Sequence, residues 1–317
     1  MFRVPRPALS LLLGLVVVVA SACSTAATTA PSGAGGASGA PTSAASGAPT
    51  SAASAANPND PNSIITAAIS GGEQIKSFHI DIEVSGTIKA AAIKAEAGSA
   101  GAGITSDVKL DGTSLTGDVD VANQAANLTF TVPPMAMLGN VPLTGGLILK
   151  DSILYYKVSL LGTKYTKMDL GSLGSSLGAL SSSLPVVVPT PGASAVTTVT
   201  DEINQLRAQM EQAGVKVTLV GVDQIGGQDA NHISVSVPLA KLNAEISAAA
   251  SSSGPVPTIS SASVDVWIYK ANSQLAKIEL KGASSTLGNL DVVVTITKYD
   301  APVTINAPTA SEINPAS

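Results

Sequence analysis

The sequence is short of the residue types that most often do chemistry. It contains one cysteine and two histidines in 317 residues. No intrachain disulfide can form, so the fold must rest on its core alone. Two distant histidines without a second cysteine argue against a zinc site. Aromatic residues make up 3% of the chain, with one Trp, and acids outnumber bases by 22 to 17. Such a chain lacks the basic patches and interleaved aromatics of nucleic-acid binders. Nowhere does an apolar run reach the roughly 20 residues of a spanning helix. A core poor in large side chains packs its backbones closely or leaves room for something else. Composition alone keeps both open.

What is present begins at the N-terminus. Arg3 and Arg6 form a positive start, Leu9 to Ala20 an apolar stretch, and Ala20-Ser21-Ala22 a small-residue run. This is the pattern of an export signal. Cys23, the sole cysteine, follows directly. A small-residue run ending in Cys resembles the lipobox of bacterial lipoproteins, in which the signal is cut before the Cys and the thiol is acylated. Ala20 stands where a branched residue is usual. The expected division is a signal peptide at 1–22 and an acylated Cys23 as lipid attachment (a diacyl, palmitate-type anchor). An ordinary secretory signal is the other reading.

Residues 24–61 are built from Ser, Thr, Ala, Gly and Pro, with Asn, and the run Gly-Ala-Pro-Thr-Ser-Ala-Ala-Ser occurs at 39–46 and again at 47–54. Their only charge is Asp60. Such a segment cannot bury enough apolar surface to fold. As a flexible coil it would span about 35 Å r.m.s., a tether between anchor and domain. Without Arg3 and Arg6, bases fall from 17 to 15 against 22 acids, a net charge of −7. Membrane association therefore has to come from acyl chains and apolar contacts.

Order is expected from Asn62. Asn62 or Ser63 can cap a helix carrying Ile64, Ile65, Ala68 and Ile69 on one stripe. The period then changes to two. Phe78, Ile80, Ile82 and Val84 alternate with polar neighbours, as do Leu128, Phe130 and Val132, then Val264, Val266 and Ile268, then Leu290, Val292, Val294 and Ile296. Clean alternation indicates antiparallel strands with one solvated face. Lys150-Asp151 and Ala271-Asn272-Ser273 read as hairpin turns. Further helices are expected on Leu173, Leu177, Leu180 and Leu184, on Val196 to Met210, and after Pro238. The fold class is α+β in a single domain over 62–308, with 309–317 a tail.

Enzymatic signals are weak. Gly174-Ser175-Ser176-Leu177-Gly178 fits the G-x-S-x-G pattern, but it lies within a helical leucine stripe and not between a strand and a helix. His79 and His232 each occupy the polar phase of a strand, where exposure is the default. Asp118-Val119-Asp120 lacks the glycine and terminal glutamate of a calcium loop. No cofactor and no metal is expected, and the chain is not expected to be an enzyme. Pro133 to Leu143 is unusually apolar for a loop. Met135 and Met137 within it could meet irregular apolar partners, or the loop could fold onto its own core.

The C-terminal third resembles the LppX/LprA/LprF/LprG family of actinobacterial envelope lipoproteins. The residues that carry it are Gly254 to Pro257, Ala262 to Ile268, Leu275 to Leu280 and Val294 to Val303. Lys76 to His79, Ile153 to Lys157 and Gly226 to His232 agree in order; an Ala/Gly insert at 90–103 departs. The resemblance implies an antiparallel half-barrel sheet packed around helices and enclosing an apolar cavity. It also implies binding of a lipid or glycolipid there and its carriage in the cell envelope. The expected partners are that ligand, the membrane through Cys23, and an envelope transporter. The expected location is the outer face of the cytoplasmic membrane. By strand and helix phase, the lining residues would be Phe130, Val132, Leu149, Leu177, Leu180, Val266 and Val294, with Met135 and Met137 from the loop. The alternative is a non-catalytic envelope sensor or scaffold, its half-barrel filled by its own side chains, that binds a protein.

Overall fold

The computed structural model describes residues 59–72, 74–97, 104–135, 139–170, 208, 211–249 and 257–315. Its first element is α1 (Pro61–Gly72). The cap is Asp60, two or three residues earlier than the sequence suggests. Its carboxylate accepts the Asn62 and Ser63 amides at 3.2 Å each, and the Ser63 hydroxyl at 2.6 Å. Pro61 then occupies the first helical position, where its missing N–H costs nothing.

Twelve strands form one open sheet. In chain order they are β1 (Ser77–Ile88), β2 (Val108–Lys109), β3 (Thr113–Asp120), β4 (Ala125–Val132), β5 (Leu143–Lys150), β6 (Ile153–Val158), β7 (Thr166–Asp169), β8 (Lys216–Ile225), β9 (Gln228–Ser236), β10 (Ile259–Tyr269), β11 (Leu275–Ser284) and β12 (Gly288–Thr297). Their spatial order is β7-β6-β5-β4-β3-β1-β12-β11-β10-β9-β8, with the short β2 pairing the end of β1. Neighbours on this path are antiparallel throughout. Among the described residues the edges β7 and β8 do not meet, and the sheet is open. A bulge at Val220 irregularises the β8 edge, a device that discourages edge-to-edge pairing.

The expected hairpins are present. Asp151 and Ser152 join β5 to β6 with φ of 52° and 61°, both in the left-handed region that two-residue I′ turns require. Two more helices are described, α2 (Ala90–Ala97) and α3 (Leu239–Ala249). The second of these fulfils the expectation after Pro238. The first falls in the Ala/Gly segment that the periodicity left without structure. Alanine's helix propensity favours it, and the Asp107 carboxylate takes the Ala90 amide at 2.9 Å. The helices expected around Leu177 and from Val196 to Met210 lie outside the described residues, apart from a helical remnant at 208 and 211–212.

After β12 the chain crosses back over the sheet. Asp300 ties it to β1 by accepting the Lys76 amide at 2.7 Å, and the Ser77 hydroxyl donates to the Ala301 carbonyl at 2.6 Å. Ile305 is buried with Ala125, Ile148 and Tyr155, and Val303 and Ile313 pack beside it. Tyr165 then pairs with this strap through Glu312 and Asn314. A second cluster joins Ala230, Trp267, Tyr269 and Ala276. In the third, α1 lays Ile64 on Ile233 and Ile268.

Candidate functional site

Strict alternation gives each strand an apolar and a polar side, and the register decides whether those sides agree across the sheet. They do. On one face Leu219 stands opposite Ile233, Ile233 opposite Val266, Val266 opposite Ile278, and Ile278 opposite Val294. The same row continues through Ile82, Leu115, Phe130, Gly145 and Val158. A single apolar line therefore runs from β8 to β6 across strands that are far apart in sequence. Adjacent rows add Val84, Val292 and Leu280 on one side and Ile80, Leu128 and Leu147 on the other.

Cover on this face is uneven. Among the described residues, α1 shields only the β8–β10 end, where Ile233 and Ile268 are almost completely buried. Toward β1 and β3–β6 the apolar side chains are mostly half-buried; Ile80, Ile82, Leu115, Leu128, Phe130 and Leu147 all keep solvent contact. The described residues leave the face open and do not enclose a cavity there.

Five of the sequence-selected lining residues share this face. Val266, Val294 and Phe130 belong to the central row, and Leu149 and Val132 lie on the same side of β5 and β4. Met135 follows β4 in the connecting loop and is half-buried. Cys23, Met137, Leu177 and Leu180 lie outside the described residues, as does the Gly174 to Gly178 motif.

The opposite face takes the polar phase of most strands, apart from Ile148 and Tyr155 under the strap, and carries both histidines, which exposure by default does not describe. Their side chains are only 21% and 19% exposed. Nδ1 of His79 lies 2.6 Å from Asp118 and its Nε2 lies 3.4 Å from Asp81. His232 is flanked the same way, Nδ1 at 3.2 Å from Asp223 and Nε2 at 3.1 Å from Asp265. Its ring stacks on Trp267 with centroids 4.4 Å apart, and the indole donates to Asp223 at 2.8 Å. Lys277 caps the other side of the indole at 4.4 Å. Each imidazole thus sits between two carboxylates supplied by strands β1 and β3, or β8 and β10. The Thr116 hydroxyl lies 3.4 Å from His79 Nε2 and donates to Asp81, and no grouping of three metal-binding side chains occurs among the described residues. Alternation alone puts a histidine on this face, but only strand pairing supplies its partners.

A small cavity of about 320 Å³ opens where the β8–β9 and β10–β11 turns meet the end of β12. Its lining includes Gln228, Tyr269, Asn272, Gln274, Lys298 and Tyr299. Burial pushes the Tyr269 phenol up from its ordinary value. This cavity is lined by polar and apolar groups in equal measure and holds none of the sequence-selected residues.

No protein-family model and no curated protein matches the chain. Solved structures with a similar course exist. The lipoprotein LppX of Mycobacterium tuberculosis overlaps at a TM-score of 0.39 and 14% identity, over 78% of this chain and 98% of that one. LprF from Mycobacterium bovis overlaps at 0.40 and 16%, over 79% and 97%. MucB from the Pseudomonas aeruginosa MucA/MucB complex overlaps at 0.26 and 9%, over 81% and 61%. LppX and LprF are both named in the family that the sequence resembles. The overlaps are coarse, so function rests on this chain's own residues.

Proposed function

We propose that this protein is a lipid-anchored envelope lipoprotein that takes the acyl chains of a lipid or glycolipid onto its apolar sheet face and carries it within the cell envelope. The observation that carries the reading is the apolar row from Leu219 to Val158, interrupted only at Gly145 beneath the Phe130 ring, which the described residues cover at one end only. Water against such a face is unfavourable, and each methylene buried there contributes about 0.8 kcal/mol. Chains of lipid length are then held without any covalent step, and the protein acts as a carrier and not as an enzyme. Phe130, Val132, Leu149, Val266 and Val294 supply the floor. Met135 and Met137, on the loop after β4, and Leu177 and Leu180 complete the lining. Signal cleavage after Ala22 and acylation of Cys23 hold the protein at the outer face of the cytoplasmic membrane, with residues 24–61 as its tether. An envelope transporter is the partner that would pass the lipid on.

The test is native mass spectrometry of the protein purified from membranes of expressing cells. Co-purifying lipid, displaced by added lipid of similar chain length, is the expected result. A ligand-free protein that takes up no lipid on addition would sink the proposal and leave a protein-binding scaffold.

A further inference from the structure

The two ends of the sheet differ in chemistry. One end carries the short turns at 121–124, 151–152, 226–227 and 270–274, which are rich in Asn, Asp, Ser and Gly. The other carries the connections at 89–112, 133–142, 159–165 and 285–287. Of the seven exposed large apolar side chains among the described residues, five, Ile88, Val141, Leu160, Leu161 and Leu287, lie at this second end, and Val220 and Val222 lie on the β8 edge. Leu161 is 76% exposed and Leu160 is 51% exposed, side by side at the tip of the β6–β7 connection. The neighbouring tip is held to it: the Ser159 hydroxyl accepts the Thr144 amide at 3.1 Å, and the Ser159 amide donates to the Thr144 carbonyl. This brings Val141 toward the leucines.

Charge at these tips departs from the acidic balance of the chain. From Lys157 to Thr166, the apolar-end side of β6 and its connection to β7, the sequence has Lys157 and Lys164 and no acid; Pro133 to Pro142 has no charge, and 89–112 balances three lysines with three acids. Lys89 adjoins Ile88. Glu312, the acid that feels Lys157, is turned onto the Thr309 hydroxyl and amide. Apolar tips ringed by lysines suit the boundary between acyl chains and anionic headgroups, where leucine enters and the ammonium groups stay at the surface.

The course of the chain points the same way. Gly71, near the C-terminus of α1, lies against the Ser273 carbonyl in a turn of the polar end. The helix rises about 1.5 Å per residue, so its N-terminus is directed toward the apolar end. Asn59, the first described residue, therefore lies toward that side.

We infer that the end of the sheet bearing Val141, Leu160, Leu161, Ile88 and Leu287 docks on an anionic bilayer, so that the open apolar face meets the membrane end-on. This deepens the carrier reading and rests on it for the anchor alone. Leucines at the tips enter the acyl boundary, Lys157 and Lys164 face headgroup phosphates, and a lipid can slide from the bilayer onto the sheet without its chains crossing water.

The experiment uses the full chain as purified from membranes, reconstituted into vesicles of equal phosphatidylglycerol and phosphatidylcholine. An environment-sensitive fluorophore is attached at Leu161→Cys in one preparation and at Ser152→Cys, in a turn of the polar end, in the other. Label that reaches Cys23 is common to both and cancels. The expected result is a blue-shifted Leu161→Cys signal, quenched severalfold more than Ser152→Cys by lipids spin-labelled near the headgroup, and weakened in phosphatidylcholine alone. Equal quenching at the two sites would overturn the docking, leaving the exposed leucines for a protein partner. Native mass spectrometry of the same preparations keeps the outcomes apart. Lipid retained with equal quenching removes docking and leaves the carrier, whereas unequal quenching without lipid does the reverse.

Discussion

The ring of Phe130 lies directly over Gly145, its partner across the β4–β5 ladder. A methyl group added at 145 would stand 2.2 Å from the ring's Cζ and 2.4 Å from the Lys157 carbonyl oxygen. The one gap in the apolar row is thus the space in which its largest side chain rests.

Gly145→Ala should therefore destabilise the protein by about 1–3 kcal/mol, the usual cost of overpacking, read as a lower urea midpoint at unchanged slope. Adding Phe130→Ala should recover only part of this. The carbonyl of Lys157 would still block the new methyl.

Opposite faces of one strand should respond differently to charge. Val132→Asp puts a carboxylate on the apolar face, and Thr131→Asp puts one on the polar face a residue away. A carboxylate without partners in an apolar setting is strongly penalised. Val132→Asp should cut co-purifying lipid by about tenfold or more, a penalty of 1.4 kcal/mol or greater, while Thr131→Asp retains it. Equal loss in both would show that the lipid does not lie on this face.

The sole tryptophan reports on its own site. Trp267 donates to Asp223, stacks on His232 and lies under Lys277. Asp223→Ala removes the acceptor of the indole and one carboxylate of His232. Water can reach the half-exposed site, so the expected loss is modest, about 1 kcal/mol. Tryptophan emission should shift to the red. Asp223→Asn keeps an acceptor oxygen and should shift it less.

The acid limb of stability should trace in part to Glu279. The hydrogen bond from Lys281, with Lys277 at 3.0 Å, holds its carboxyl below the ordinary glutamate range. A carboxyl whose pKa is lower folded than unfolded stabilises the protein above the ordinary range. That contribution is lost as pH falls from the unfolded value through the folded one. Urea unfolding followed against pH should show a shallower acid decline in Glu279→Gln than in the parent chain.

Much of this was legible in the chain. Phe78, Ile80, Ile82 and Val84 define a strand side by position alone, and the phase that selected Phe130, Val132, Leu149, Val266 and Val294 places them on one face. The Ala-rich α2 was not legible, because alanine has neither an apolar nor a polar phase to read. Nor was the cap. Asp60 stood at the end of a segment that reads as tether, and its role depends on Pro61 beginning the helix behind it.

What the sequence determined by itself is the two-sidedness of each strand, since a period of two is a local property of consecutive residues. Only the tertiary structure decided which sides join. Val266 meets Val294 through Ile278, and Phe130 meets Val294 through Leu115 and Ile82. His232 meets Asp223 and Asp265, and His79 meets Asp118 and Asp81. These juxtapositions come from the register of segments distant in the chain. That register is fixed by the burial of the sheet as a whole, which no single stretch of sequence encodes.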